Sequence, residues 1–126
     1  MTMKDIRWGR VLLGGFLIEL TIFAIYIPLN SASPQVAYYS VPVLALATAY
    51  LFGRWAARPL QSGFVLHGAL VAVTASLIYL ALNAGLGTIP LIPWLFHISN
   101  VVRVLAGAAG GAAAAKRARL MTVAGV

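Results

Sequence analysis

The chain has 126 residues, enough for one domain. It is 62% hydrophobic and 9% charged, whereas soluble domains run at about 45–50% apolar and about 25% charged. That leaves too little polar surface to cover a water-soluble globule and too much apolar surface for intrinsic disorder. The absence of cysteine excludes disulfide scaffolds, thiolate metal centres, iron–sulfur clusters and cysteine nucleophiles.

Four apolar runs are long enough to cross about 30 Å of hydrocarbon as helix. They cover about 11–29, 36–52, 63–82 and 92–115. The breaks between them are Asn30-Ser-Ala-Ser-Pro34, Gly53-Arg-Trp-Ala-Ala-Arg-Pro59 and Asn83-Ala-Gly-Leu-Gly-Thr-Ile-Pro90, all rich in helix breakers and turn formers. The runs are continuous and lack the two-residue alternation of barrel strands. The expected fold is an all-α integral membrane four-helix bundle, with residues 1–126 as a single transmembrane domain.

Lys4, Arg7 and Arg10 precede the first run, Arg54 and Arg58 separate the second from the third, and Lys116, Arg117 and Arg119 follow the fourth. The loops at 30–35 and 83–91 carry no charge. With four spans, every basic segment falls on one face, so the positive-inside rule predicts a bacterial-type inner membrane protein with both termini cytoplasmic. The net charge of +7 thus reads as a topology signal; it calls for no nucleic acid and favours anionic lipid headgroups. Residues 1–33 have a basic start and a small Ser31-Ala-Ser33 ending, as a secretory signal does. Their apolar stretch is too long for a signal core, and Glu19 interrupts it.

The third run echoes the first. Gly9-Arg-Val-Leu-Leu-Gly14 matches Gly63-Phe-Val-Leu-His-Gly68, Thr21 to Tyr26 matches Thr74 to Tyr79, and both runs end Leu-Asn. Two repeated helical hairpins related by an axis along the membrane normal are therefore expected.

Two residues charged at neutral pH lie inside the runs, Glu19 and Arg103, each costing on the order of 3 kcal/mol at the bilayer centre. Counted from the basic face they sit at about 13 and about 20 Å, a difference a long Arg side chain can span. An ion pair joining the first and fourth helices is predicted. Trp8, Leu12, Gly15, Glu19, Ile22 and Tyr26 fall on one helical stripe, and His97, Asn100 and Arg103 share a face with Gly107, Gly110, Gly111 and Ala114. Small residues let helices approach and polar ones bond across the contact, so both stripes are expected to face inward. The polar cluster is then Glu19, Arg103, Asn100 and His97, with Gly15, Gly107, Gly110 and Gly111 as packing positions.

Two roles suit such a cluster. It staples a structural or partner-binding membrane protein, or Glu19 serves a small proton-coupled transporter as a proton- or cation-binding carboxylate. The Gly/Ala face of the fourth run offers a contact for a homodimer or another membrane protein. His67 and His97 stand near opposite ends of the membrane, too far apart to share a metal or haem. Ser and Thr residues have no acidic partner arranged for nucleophilic catalysis, and no phosphate loop or dinucleotide fingerprint occurs. No enzyme activity, cofactor or metal is expected. Pro42 reads as a structural kink, and Trp8, Trp55 and Trp94 at the run ends read as interfacial anchors.

Gly53-Arg-Trp-Ala-Ala-Arg58, Gly63 through Gly68, Phe96-His97 and Gly107-Ala-Ala-Gly-Gly111 together resemble the uncharacterised small four-span bacterial membrane proteins of the YrzE-like type. The likeness covers roughly residues 45–115 and implies a four-helix membrane protein without catalytic residues to carry over. Gly14-Gly15-Phe-Leu-Ile-Glu19 is similar to the first helix of small multidrug-resistance transporters, where a glutamate follows a glycine pair. The spacing here differs by one residue, Arg103 competes for the carboxylate, and the aromatic-rich later spans of that family are missing.

Overall fold

The computed structural model describes residues 3–125. Among them, four helices are long and apolar enough to cross a membrane: α1 (Trp8–Ala32), α2 (Pro34–Ala57), α3 (Phe64–Gly85) and α4 (Trp94–Val123). Short 3-10 turns at Met3–Asp5 and Ile89–Leu91 complete the described chain, which has no strand. The all-α four-helix fold follows directly from the four apolar runs.

The helices run further than the apolar segments. Asn30, Ser31 and Ala32 continue α1, where Ser31 Oγ donates to the Ile27 carbonyl (3.1 Å). The turn into α2 is Ser33 alone, in extended conformation with φ −155°. Its hydroxyl accepts the Val36 N–H (3.4 Å) and Pro34 takes the first helical position, an N-terminal cap of the preferred kind. Gly63, at φ +69°, supplies the left-handed turn that opens α3. Pro28 and Pro42 are carried inside α1 and α2, which run on past them. With 30 residues, α4 is about 45 Å long against about 30 Å of hydrocarbon. Its last turns, carrying Lys116, Arg117 and Arg119, therefore project beyond the apolar slab.

Glycine decides which helices touch. A side chain built on Gly53 would stand 2.7 Å from the Gly107 carbonyl oxygen, and Gly68 and Gly107 oppose each other so closely that neither has room for a Cβ. Gly110 meets the Tyr50 carbonyl of α2, and Gly111 meets the Phe64 carbonyl of α3. One face of α4 is thus sunk between α2 and α3. On the far side of those two helices, α1 packs through Gly15 against Thr74 and Ala75, and through Gly14 against Val71. The core between them is mostly alanine and branched aliphatics, including Val11, Ile18, Ala49, Val71, Ala72 and Ala75. Among the described residues α1 and α4 make no close backbone contact: they occupy diagonal corners.

This arrangement corrects the expected repeat symmetry. A two-fold axis exchanging the hairpins would make the α1–α4 and α2–α3 separations equal, yet only α2 and α3 touch. The hairpins instead lie side by side, α1 next to α3 and α2 next to α4, because the α4 glycines draw α2 and α3 together.

The inward stripe of α1 is also rotated from the one expected. Its buried residues are Val11, Gly14, Gly15, Ile18, Glu19 and Ile22, whereas Trp8 and Leu12 are exposed. At 100° per residue the centre of the buried face lies about 70° from Glu19, so a stripe centred on the glutamate takes in Leu12 and leaves out Ile18. At the basic end, Arg10 donates to the carbonyls of Trp55 (2.8 Å) and Ala56 (3.3 Å) and lies over the Trp55 ring at 4.0 Å. It caps the α2 C-terminus, where cations are favoured. Trp55 is accordingly half-buried against the core, while Trp94 and Trp8 remain exposed.

A methyl group at position 68 has backbone in its way, so Gly68→Ala is expected to cost about 1–3 kcal/mol, as overpacking does. Gly9→Ala faces nothing within 4 Å and is expected to be neutral or stabilising by up to about 1 kcal/mol. Thermal unfolding of the two purified variants in one detergent compares them; equal midpoints would contradict the seam.

Candidate functional site

Glu19 reaches from α1 and Arg103 from α4, and the Arg103 Nη1 donates to Glu19 Oε1 between the diagonal corners. Each residue is only 3% exposed, so the pair is shielded from lipid as well as from water. Two isolated charges in hydrocarbon would each cost several kcal/mol; facing each other they form a neutral unit with a shared hydrogen bond. Their charges meet although their helices do not, because both side chains are long.

The pair is incompletely satisfied by protein. Glu19 Oε2 and Arg103 Nε are buried and make no hydrogen bond, as is Ser76 Oγ. Beside the pair lies a cavity of about 60 Å³ lined by Glu19, Arg103, Ser99 and Asn100 and by the apolar or aromatic side chains of Ile22, Phe23, Tyr26, Val41, Tyr79 and Phe96. Its size admits a few water molecules, which need only about 10–15 Å³ each on the same measure. Arg103 also lies 5.8 Å from the Tyr79 ring centroid, within cation–π range.

An aromatic group closes the end of the cavity away from the basic residues. Phe96 of α4 packs against Tyr26 of α1 (6.3 Å between centroids), Tyr38 of α2 (5.7 Å) and Tyr79 of α3 (6.4 Å). One ring from each helix meets at this level, within the 4.5–7 Å spacing of favourable aromatic pairs. Toward the basic end the interior is instead filled by the glycine seam.

Of the expected polar cluster, Glu19, Arg103 and Asn100 are brought together and His97 is not. His97 is exposed, and Ser99 takes the inward position, its hydroxyl donating to the Leu95 carbonyl (2.9 Å). Counting back from Arg103, positions i−3, i−4 and i−7 are Asn100, Ser99 and Phe96, which share its face; His97 is i−6 and points elsewhere. Gly15, Gly107, Gly110 and Gly111 are all buried at helix contacts. Sequence reasoning passed over Tyr79 and Phe96. The first was marked by its match to Tyr26 in the repeat, and the second by its seven-residue spacing from Arg103.

His67, fully buried, belongs to the basic end. Its Nε2 accepts the Arg7 backbone N–H (3.1 Å), which leaves Nδ1–H to donate to the Gly63 carbonyl (2.8 Å). Nε2 thus ties the N-terminal segment to α3, while Nδ1 is engaged at the start of its own helix. Among the described residues no group of three His, Cys, Asp or Glu side chains is placed to hold a metal ion.

No family model, curated protein or solved structure matches this chain. The pair can be tested on its own terms. Glu19→Gln or Arg103→Gln alone strands a buried charge and is expected to cost about 3–5 kcal/mol. The double variant is expected to lose clearly less than the sum of the two, read as thermal or denaturant stability in detergent. Additive losses would mean that the residues act independently.

Proposed function

We propose that this chain is a non-enzymatic, multi-pass membrane protein with a structural or partner-binding role, in which Glu19 and Arg103 act as a staple across the bundle. The observation that carries this reading is the pairing itself: the carboxylate already has a permanent cation as its partner. A cationic substrate therefore gains little by approaching it. Four hydroxyl groups support a role without catalysis. Those of Ser40, Thr48, Ser99 and Thr122 donate to carbonyls of their own helices, and so are engaged in the backbone rather than aligned with a base. Charge placement supports an inner membrane of bacterial type with both termini cytoplasmic; a reporter inserted within residues 54–60 is expected on the cytoplasmic side, and a periplasmic reading would overturn that sidedness.

One observation favours a second reading, a small proton-coupled transporter: Glu19 borders the cavity with one oxygen unpartnered. The cavity volume of about 60 Å³ argues against a drug-sized substrate, whose sites measure about 300–1,000 Å³. Purified protein is expected to show no Glu19-dependent binding of tetraphenylphosphonium at neutral pH. Calorimetry measures this. Saturable binding that disappears in Glu19→Gln would replace the staple with the transporter.

A further inference from the structure

The basic end of the bundle has little internal answer to its charge. Eight of the nine Lys and Arg residues lie there, and of the two acidic residues Glu19 is committed to the ninth, Arg103. Arg10 directs its donors to the end of α2. Arg58, by contrast, is exposed at the C-cap of α2 and borders two clefts. In one, Arg117 of α4 faces the same hollow, whose other walls are the neutral Ala114, Ala118 and Met121. In the other, Leu51, Trp55 and Arg58 follow one another along a single stripe of α2, with Arg54 beside them.

The order along that stripe is apolar, aromatic, cationic. It matches the sequence of environments from acyl chain through interface to headgroup. Leu51 is 61% exposed, so an acyl chain can lie over it. Guanidinium groups bind phosphate oxygens in a bidentate fork, and basic pockets between membrane helices at the headgroup level are where anionic lipids are held. We propose that Arg58 and Arg117 seat the phosphate of an anionic phospholipid, with its acyl chains descending over Leu51. This rests on the four helices crossing a membrane and is independent of the role assigned to Glu19.

The test uses the full chain in detergent, titrated with a diacyl phosphatidylglycerol in a background of phosphatidylcholine, with bound lipid counted by native mass spectrometry. Arg58→Gln and Arg117→Gln are each expected to weaken retention about fivefold, the equivalent of about 1 kcal/mol per interfacial cation. Arg117 lies on the exposed end of α4, so its variant keeps the test valid should Arg58→Gln fold poorly. Lys116→Gln removes the same charge from a residue outside both clefts and is expected to change retention less than twofold. Equal weakening in Lys116→Gln and Arg117→Gln would overturn the site in favour of diffuse surface attraction. Displacement of the lipid by millimolar inorganic phosphate alone would overturn it in favour of a soluble anion, since the acyl chains would then contribute nothing.

Discussion

Two charges buried in hydrocarbon must find each other, and in this protein they do so across the longest distance the bundle offers. Glu19 and Arg103 sit on helices that make no close backbone contact among the described residues. The pair therefore does what backbone packing cannot: it ties α1 to α4 through the centre. A misplaced register on either helix would leave an ion unpaired in a medium with no water to rescue it. Buried ion pairs are weak evidence for net stability, but fixing a register is their best-attested use.

The rest of the interior is arranged in two unlike halves around that pair. On the basic side, Gly53, Gly68, Gly107, Gly110 and Gly111 bring backbones together with no room for a Cβ, leaving no space for a ligand. On the uncharged side, four aromatic rings replace the glycines, and larger rings pack with a gap beneath them. The pair lies at the boundary and borders the cavity. Asymmetry of this kind follows from residue size alone: small residues close one end and flat, rigid ones roof the other. Outside, the exposed Leu, Val and Ile side chains present the apolar surface that a bilayer covers.

Much of this was legible in the residues, and the failures have physical causes. The four helices followed from run length, and the pairing of Glu19 with Arg103 followed from there being no other carboxylate, Lys or Arg inside the runs. Helix ends were underestimated because Asn30, Ser31 and Gly53 count as breakers in water, while Ser31 bonds back to its own helix and Gly53 sits in a contact that only glycine allows. Placing His97 inside and Leu12 on the buried stripe came from centring each face on its most polar residues. A long side chain such as Glu19 can reach the interior from the flank of a face, so polarity marks the edge of the stripe as readily as its middle. Helix adjacency was out of reach, because it depends on which carbonyl each α4 glycine meets.

The central claim is that the two side chains touch inside the bilayer, and Glu19 is the only glutamate in the sequence. Full-length protein labelled with ¹³C at the glutamate carboxyl and ¹⁵N in the arginine guanidinium groups, reconstituted in lipid bilayers, allows that contact to be read as a dipolar coupling by solid-state nuclear magnetic resonance. A coupling corresponding to a separation of about 4 Å or less, the range of a salt bridge, is expected, and it should vanish in Arg103→Gln. A carboxyl with no guanidinium nitrogen near it, or a coupling that survives the loss of Arg103, would contradict the staple on which the description of the bundle rests.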